Sequence, residues 1–445
     1  MRESDHILPG ASRDLEDREA RAFDFGRMTR RVPEAVATPR SVEEVSGLVR
    51  GASREGITLA IRGGGHSQGG RTLTDRGVVL DTTGLDRVQP IGSELVRAQG
   101  GARWGDVVDA LKGARRLPPV LVDTGEATVG GTLAAGGIGT TSYRYGAQVE
   151  QVEQLEVVTG TGEQIRCSPT ENAELFDAVR SGQGQFGIIT EAWIRLRPAG
   201  ARFRQHELHY RDFERFAEDL EFLVEAGRFE HLRAELRHRE NLIVLLAGLE
   251  YDGTPDDDRI LEGLGYDELV YTRDTASVGR AGMYPSWSFS WLHYHPWRDW
   301  MLPWETLRTL LAEPLLDPDS MPRRPWGWIG LYPIGRGESK APLFMRPPGE
   351  QMISYSILAV LGEFQYEKAT ELTRKLEEID RKLVGLGGKS YLSGNVGYSP
   401  EQWQQHYGEM LEQGIRWKRK FDPDQVFHRA DMPFGAGPST PDPRT

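Results

Sequence analysis

Two stretches of this chain set residues able to do chemistry beside runs of glycine. In Ile61–Gly70, IRGGGHSQGG, three glycines lead into His66 and Ser67. Glycine has no Cβ, so its amides can approach a ligand closely and adopt positive φ. Successive amides in that geometry form a concave nest for anionic oxygen such as a pyrophosphate. An imidazole at position 66 would then lie against whatever is cradled. The same ten residues also read as a plain turn between extended segments at Ile57–Arg62 and Val78–Asp81, with His66 incidental.

The second stretch is Pro118–Gln148. Val120-Leu121-Val122 reads as a buried strand with Asp123 at its end, and Thr128–Gly139 holds five glycines among small residues. A carboxylate half buried at a strand end has a raised pKa, which suits a general base. Asp-Thr-Gly is equally good turn chemistry. Further on, Gly182-Gln183-Gly184-Gln185-Phe186-Gly187 is a literal G-x-G-x-x-G. It follows a helical pattern and precedes a strand, the reverse of the dinucleotide-binding order, which rejects a Rossmann fingerprint. A loop passing near a cofactor stays open.

The elements that must position these residues alternate between two periods. Ser41-Val42-Glu43-Glu44 fits a capping box, and Val45, Leu48, Val49 and Ala52 recur at helical spacing. Helices are also expected at Trp104–Gly113, Ala173–Arg180, Phe213–Gly227, Tyr366–Val384 and Glu401–Phe421. Strands are expected at Gly77–Asp81, Val96–Gly100, Val152–Thr159 paired with Gln164–Cys167, Gly187–Arg197, Leu242–Leu249 and Ser354–Leu361. This mixture indicates an α+β fold. Seven of the eleven tryptophans fall between Trp287 and Trp328, as core or as an aromatic wall.

Composition narrows the partners. A chain of 445 residues is too long for one ordinary core. The net charge of −12 argues against a nucleic acid or an anionic membrane and leaves a small-molecule substrate. The longest apolar run, Leu242–Leu249, is too short to span a bilayer. The opening MRESDHILPG has no apolar h-region, so a cytoplasmic protein is expected. The single cysteine, Cys167, rules out an internal disulfide and a multi-cysteine metal site, and no metal is expected.

The order RGGGHS, TVGGTLAAGG, YRYGAQVEQVEQLEVVTGTGEQIRCS and ELFDAVRSGQGQFGIIT resembles the FAD domain of vanillyl-alcohol-oxidase-type flavoproteins, and within them most the cytokinin dehydrogenases. The resemblance is colinear from Ala37 to Pro198 and thinner at His295-Pro296-Trp297, Leu331-Tyr332-Pro333, Lys389-Ser390-Tyr391-Leu392 and Lys420-Phe421-Asp422-Pro423. It implies a PCMH-type FAD-binding fold of two domains. Residues 1–198 would bind FAD, and 199–391 would form an antiparallel-sheet substrate domain capping the flavin. Residues 392–438 would return to the FAD domain, and 439–445 would be a disordered tail.

The resemblance also implies roles. His66 matches the histidine joined covalently to the flavin. Gly63, Gly64, Gly65 and Ser67 match the pyrophosphate loop, with Gly64 where the family often has arginine. Thr128, Gly131, Ala134, Ile138, Ile189 and Tyr391 match further flavin contacts, with Ala134 replacing a serine. Asp123 matches the catalytic aspartate, and Trp297, with Tyr294 and His295 beside it, matches the substrate wall. His428-Arg429-Ala430-Asp431 stands where the family has S-P-G-Q. Glu126 stands where relatives with two flavin attachments carry cysteine, so one bond, through His66, is expected. The function implied is FAD-dependent removal of hydride from a small amine or alcohol. A tailoring oxidase of secondary metabolism on the same scaffold and a non-catalytic flavin-binding protein are the alternatives.

Overall fold

A computed structural model of the chain describes residues 8–275, 278–280, 292–317, 320, 327–335, 339–427 and 432–435. The segment 428–431, the tail 439–445 and Trp287, Trp291 and Trp326 lie outside the described residues. Helices and antiparallel sheets are mixed, as the α+β reading expects.

The element that shapes the site is an eight-stranded antiparallel sheet. Its strand order is Glu268–Thr275, Arg202–Tyr210, Leu242–Tyr251, His231–Arg237, Gly327–Ile334, Met352–Ala359, Trp297–Pro303, Lys389–Tyr391. Successive side chains of a strand point to opposite faces, and here the two faces differ in chemistry. Ile353, Tyr355 and Ile357 join Trp300, Leu302, Ile329 and Leu331 in a core cluster. Leu220 and Leu223 of helix Phe213–Ala226 and Leu372, Leu376, Ile379 and Leu383 of helix Tyr366–Gly385 complete it. The alternate residues Ser354, Ser356, Leu358, Trp297, Asp299, Trp328 and Tyr332 face a cavity instead.

Across that cavity lie two smaller sheets. One is parallel, ordered Ala35–Ala37, Gly77–Asp81, Thr58–Arg62. The other is antiparallel, ordered Val88–Ile91, Leu95–Gln99, Ile188–Arg195, Val152–Val158, Gln164–Cys167. Helix Val42–Glu55 packs Val45, Val49 and Ala52 onto the parallel sheet. Its start keeps half of the expected capping box: Ser41 Oγ accepts from Glu44 N at 3.2 Å, while the Glu44 carboxylate accepts from the Arg40 amide instead.

Two expectations fail. Val120–Val122 is not a strand. Pro118 and Pro119 lack amide donors, and the carbonyls of Pro119 and Val120 accept side-chain donors, Thr141 Oγ1 at 2.8 Å and Gln148 Nε2 at 3.2 Å. The helix expected over Glu401–Phe421 is two, Pro400–Tyr407 and Met410–Phe421. Gly408 sits between them at φ 54° and ψ −128°, a backbone conformation that glycine tolerates and an α-helix cannot continue through.

The last of these helices returns to the first part of the chain. The Trp417 ring meets Phe186 edge-on at 6.2 Å. Lys418, 1 % exposed, donates to Asp422 Oδ2 at 2.6 Å and to the Gln185 carbonyl at 2.9 Å. Asp422 also accepts from the amides of Val426 and Phe427. Removing one partner of a buried pair leaves an uncompensated charge, at a cost of about 3–5 kcal/mol. Asp422→Ala is therefore expected to lose stability of about that size, read as a lowered midpoint in denaturant unfolding.

Candidate active site

The cavity between the eight-stranded sheet and the glycine-rich segments has a volume of about 300 Å³. Its lining includes Gly63, Gly64, Gly65, His66, Ser67, Asp123, Thr128, Gly131, Ala134, Ile138, Ile189, Tyr391 and Trp297. The structure thus brings these thirteen residues to one place, without Tyr294 and His295.

The glycine segment is a cradle by steric necessity. A Cβ on Gly63 would stand 2.1 Å from Thr128 Oγ1, and one on Gly64 2.5 Å from the Glu126 carbonyl. Thr128 Oγ1 is buried without a hydrogen-bond partner. Among the described residues, the amides of Gly63, Gly64 and Gly65 donate to no protein acceptor. Buried polar groups in native proteins are almost always paired, so the Thr128 hydroxyl calls for a partner of another kind, and the half-buried Gly63 and Gly64 line the same cavity. His66 lies beside them, with its ring 5.4 Å from Phe25. Burial, with the charges of Arg62 and Arg103 adding to it, pushes its pKa down to about 4. The imidazole is neutral at physiological pH.

The loop of the literal G-x-G-x-x-G also reaches the cavity, through Gln183, Gly184 and Gly187. Ser181 and Gln183 adopt positive φ of 60° and 53°. Their amides donate to the Leu133 and Ala134 carbonyls at 2.9 and 2.8 Å, which fixes the loop to helix Val129–Ala135. On the far side, Tyr391 Oη accepts from the Gly137 amide at 2.8 Å.

Asp123 stands where an irregular segment meets the sheet wall. Tyr332 Oη donates to its Oδ2, and Arg233 Nη1 lies 3.8 Å from the same oxygen. Burial raises its pKa, with Arg233 and the Tyr332 hydroxyl pulling the other way. It is held by side chains of two strands rather than by a strand of its own.

The sequence reading missed Asp299. It is 4 % exposed and lines the cavity. Its Oδ1 accepts from Trp297 Nε1 at 2.7 Å and its Oδ2 from Ser393 Oγ at 2.8 Å. Burial pushes its pKa up to about 6, opposed by its hydrogen-bond donors and reinforced by Asp123. The signal was present: in HPWRDW, residue 299 must share a strand face with Trp297. Tyr332 and Arg233 were missed as partners of Asp123 for a similar reason, since they arrive from distant strands.

Trp297 lines the wall, but its N–H is shared between Asp299 and Ser356 and does not offer itself to a ligand. Its two expected companions lie elsewhere. His295 stacks on Phe25 at 4.7 Å and donates from Nδ1 to the Phe25 carbonyl. Tyr294 pairs with Leu361 through the backbone and meets the Tyr366 ring at 5.5 Å.

Residues 33–168 match the FAD binding domain family. The oxidoreductase ORF5 of the fasciation locus in Rhodococcoides fascians is 32 % identical over 416 residues, covering 91 % of this chain and 94 % of that protein. The chain belongs to the FAD-linked oxidoreductases of the vanillyl-alcohol-oxidase type. Cytokinin dehydrogenase 9 of Oryza sativa subsp. japonica is 28 % identical to this flavoenzyme, over 92 % of its chain and 87 % of the rice protein. The crystal structure of 6-hydroxy-D-nicotine oxidase from Arthrobacter nicotinovorans shares the fold, with a TM-score of 0.70 and 23 % identity over 96 % of both chains.

The cavity suits FAD. The unpaired Thr128 hydroxyl and the free glycine amides are donors for a pyrophosphate, and the rest of the lining is largely apolar, as a flat ring system requires. A methyl group at Gly63 would push Thr128 aside, and overpacking of this kind costs about 1–3 kcal/mol. Gly63→Ala is expected to purify with clearly less flavin than wild type, read from the ratio of flavin to protein absorbance.

Proposed function

We propose that this flavoenzyme oxidises a small, flat amine or alcohol, with Asp123 as the base and His66 as the point of flavin attachment. The observation that carries the reading is Asp123 on the cavity wall, its Oδ2 accepting from the Tyr332 hydroxyl with Arg233 Nη1 3.8 Å away. FAD, when bound, supplies the hydride acceptor. Asp123 takes the N–H or O–H proton of the donor at a carboxylate oxygen. A base must lie within about 3 Å of the atom bearing that proton, directly or through one water. The Tyr332 hydrogen bond fixes the carboxylate's direction. Burial raises the pKa of this carboxyl and Arg233, at 3.8 Å, opposes that rise, which keeps the group a base of moderate strength. The rice relatives named cytokinin dehydrogenases favour an N–H donor within this class.

In this reading, residues 1–198 and 392–438 bind FAD and 199–391 form the substrate wall, where the Trp297 ring stacks on a flat substrate. The apolar lining and aromatic wall suit a small molecule rather than a macromolecular partner. Cytoplasmic residence fits the chain's charge and composition, and no described helix is long and apolar enough to cross a membrane.

His66 suits a covalent attachment because a neutral imidazole keeps a lone pair for bonding. No second attachment is expected. Glu126 is committed to Arg103 at 3.0 Å and carries no sulfur. Cys167 is buried in strand Gln164–Cys167, with its thiol pushed up to about 12 by burial.

Acid-precipitated wild-type protein is expected to stay yellow and His66→Ala to lose its colour. Flavin that washes out of the denatured wild type would reduce His66 to a neighbour. Loss of a general base costs about 10²–10⁴-fold in rate. Asp123→Asn should bind FAD yet reduce it at least about a hundredfold more slowly in stopped flow with a true substrate. A wild-type reduction rate would remove Asp123 from the mechanism.

A further inference from the structure

The charges on the cavity face of the eight-stranded sheet do not balance. Asp123 has Arg233 at 3.8 Å, and Glu235 has Arg237 at 3.7 Å. Among the described residues, no lysine or arginine nitrogen comes within 4.0 Å of the Asp299 carboxylate. Its sequence neighbour Arg298 points to the opposite face, where it meets Asp380 at 2.9 Å. Arg71, also on the cavity wall, donates from Nη1 to the carbonyls of Leu392 and Gly394.

Neutral donors alone hold Asp299: the Trp297 indole and the hydroxyls of Ser393 and Ser356. These three donors fix the carboxylate in place and leave about one acceptor site open, since its two oxygens offer about four. A buried carboxylate without a cation is poorly compensated for its lost hydration. The displaced pKa of this group agrees with that deficit. Two indoles share the wall: Trp297 on the same strand and Trp328, each opposite Leu358 in its own pairing. An indole face attracts a cation lying within about 6 Å of the ring.

We infer that Asp299 is the counter-ion for a positively charged amine, so that this cavity selects cationic substrates over neutral ones of the same shape. This assignment rests on the reading of the cavity as the FAD and substrate site. It names a charge class within that site and leaves the proton chemistry with Asp123.

The test uses two inert probes on the flavin-loaded protein, benzyltrimethylammonium and its uncharged isostere neopentylbenzene. Binding is read from the perturbed flavin spectrum and checked by calorimetry. Wild type is expected to bind the cation at least about tenfold more tightly, a difference of about 1.4 kcal/mol. Asp299→Asn removes the charge and keeps an acceptor for the Trp297 N–H. It should bring the two affinities within about twofold of each other and leave that of the neutral probe unchanged. Equal affinities in wild type, a comparison that needs no variant, would overturn the assignment, as would a cation preference that survives in Asp299→Asn. Flavin content of the same sample separates the two readings. A flavin-free wild type overturns both, whereas a flavin-loaded protein with equal affinities overturns the counter-ion alone.

Discussion

The site depends on one close approach. Thr128 Oγ1 occupies the space where a side chain at position 63 would begin. Two segments, one leaving strand Thr58–Arg62 and one entering helix Val129–Ala135, meet with only the Thr128 side chain between them. That contact places Gly63 to Gly65, Thr128 and His66 on the wall of one cavity. Each of these donors lacks an internal acceptor or faces the cavity, so the protein alone does not satisfy the arrangement. A native fold keeps such groups unpaired where a bound molecule completes them.

The opposite wall follows from a simpler rule, the period of two along a β-strand. One face of the large sheet is closed by helices with leucine and isoleucine. The other carries serine, tyrosine, tryptophan and aspartate. Because the helices stabilise the first face, the second is relieved of core packing and its residues answer to a ligand. Ser356 and Ser393 direct the Trp297–Asp299 pair, and Tyr332 directs Asp123. The two carboxylates therefore sit in one cavity under different restraint, one near an arginine and the other among neutral donors.

How legible the molecule was in its sequence varied with the range of the interaction. The glycine cradle, His66 and the Thr128 helix were readable because each is written within a dozen residues. Most helices and strands were readable from their periodicity. Val120–Val122 was misread because its apolar run suggested a ladder, whereas the preceding prolines and the side chains of Thr141 and Gln148 decide its backbone. The break at Gly408 was lost inside a strong amphipathic pattern. Asp299, Arg233 and Tyr332 acquire their meaning only when strands far apart in the chain adopt one register. The pairings Asp299 with Ser356 and Tyr332 with Ser354 set that register, and no local pattern encodes it.

The buried lysine near the end of the chain bears on when the cavity wall is complete. Lys418 reaches the Gln185 carbonyl across 233 residues of sequence, and the loop it touches forms part of the cavity wall through Gln183 and Gly184. A growing chain therefore exposes the glycine cradle long before the last support of the neighbouring loop has been synthesised. Long-range contacts of this kind form late, after the entropy of closing the intervening loop has been overcome. A product truncated before residue 418 accordingly carries the glycine segment at 61–70 but lacks the buried ammonium that supports the neighbouring loop of the cavity wall.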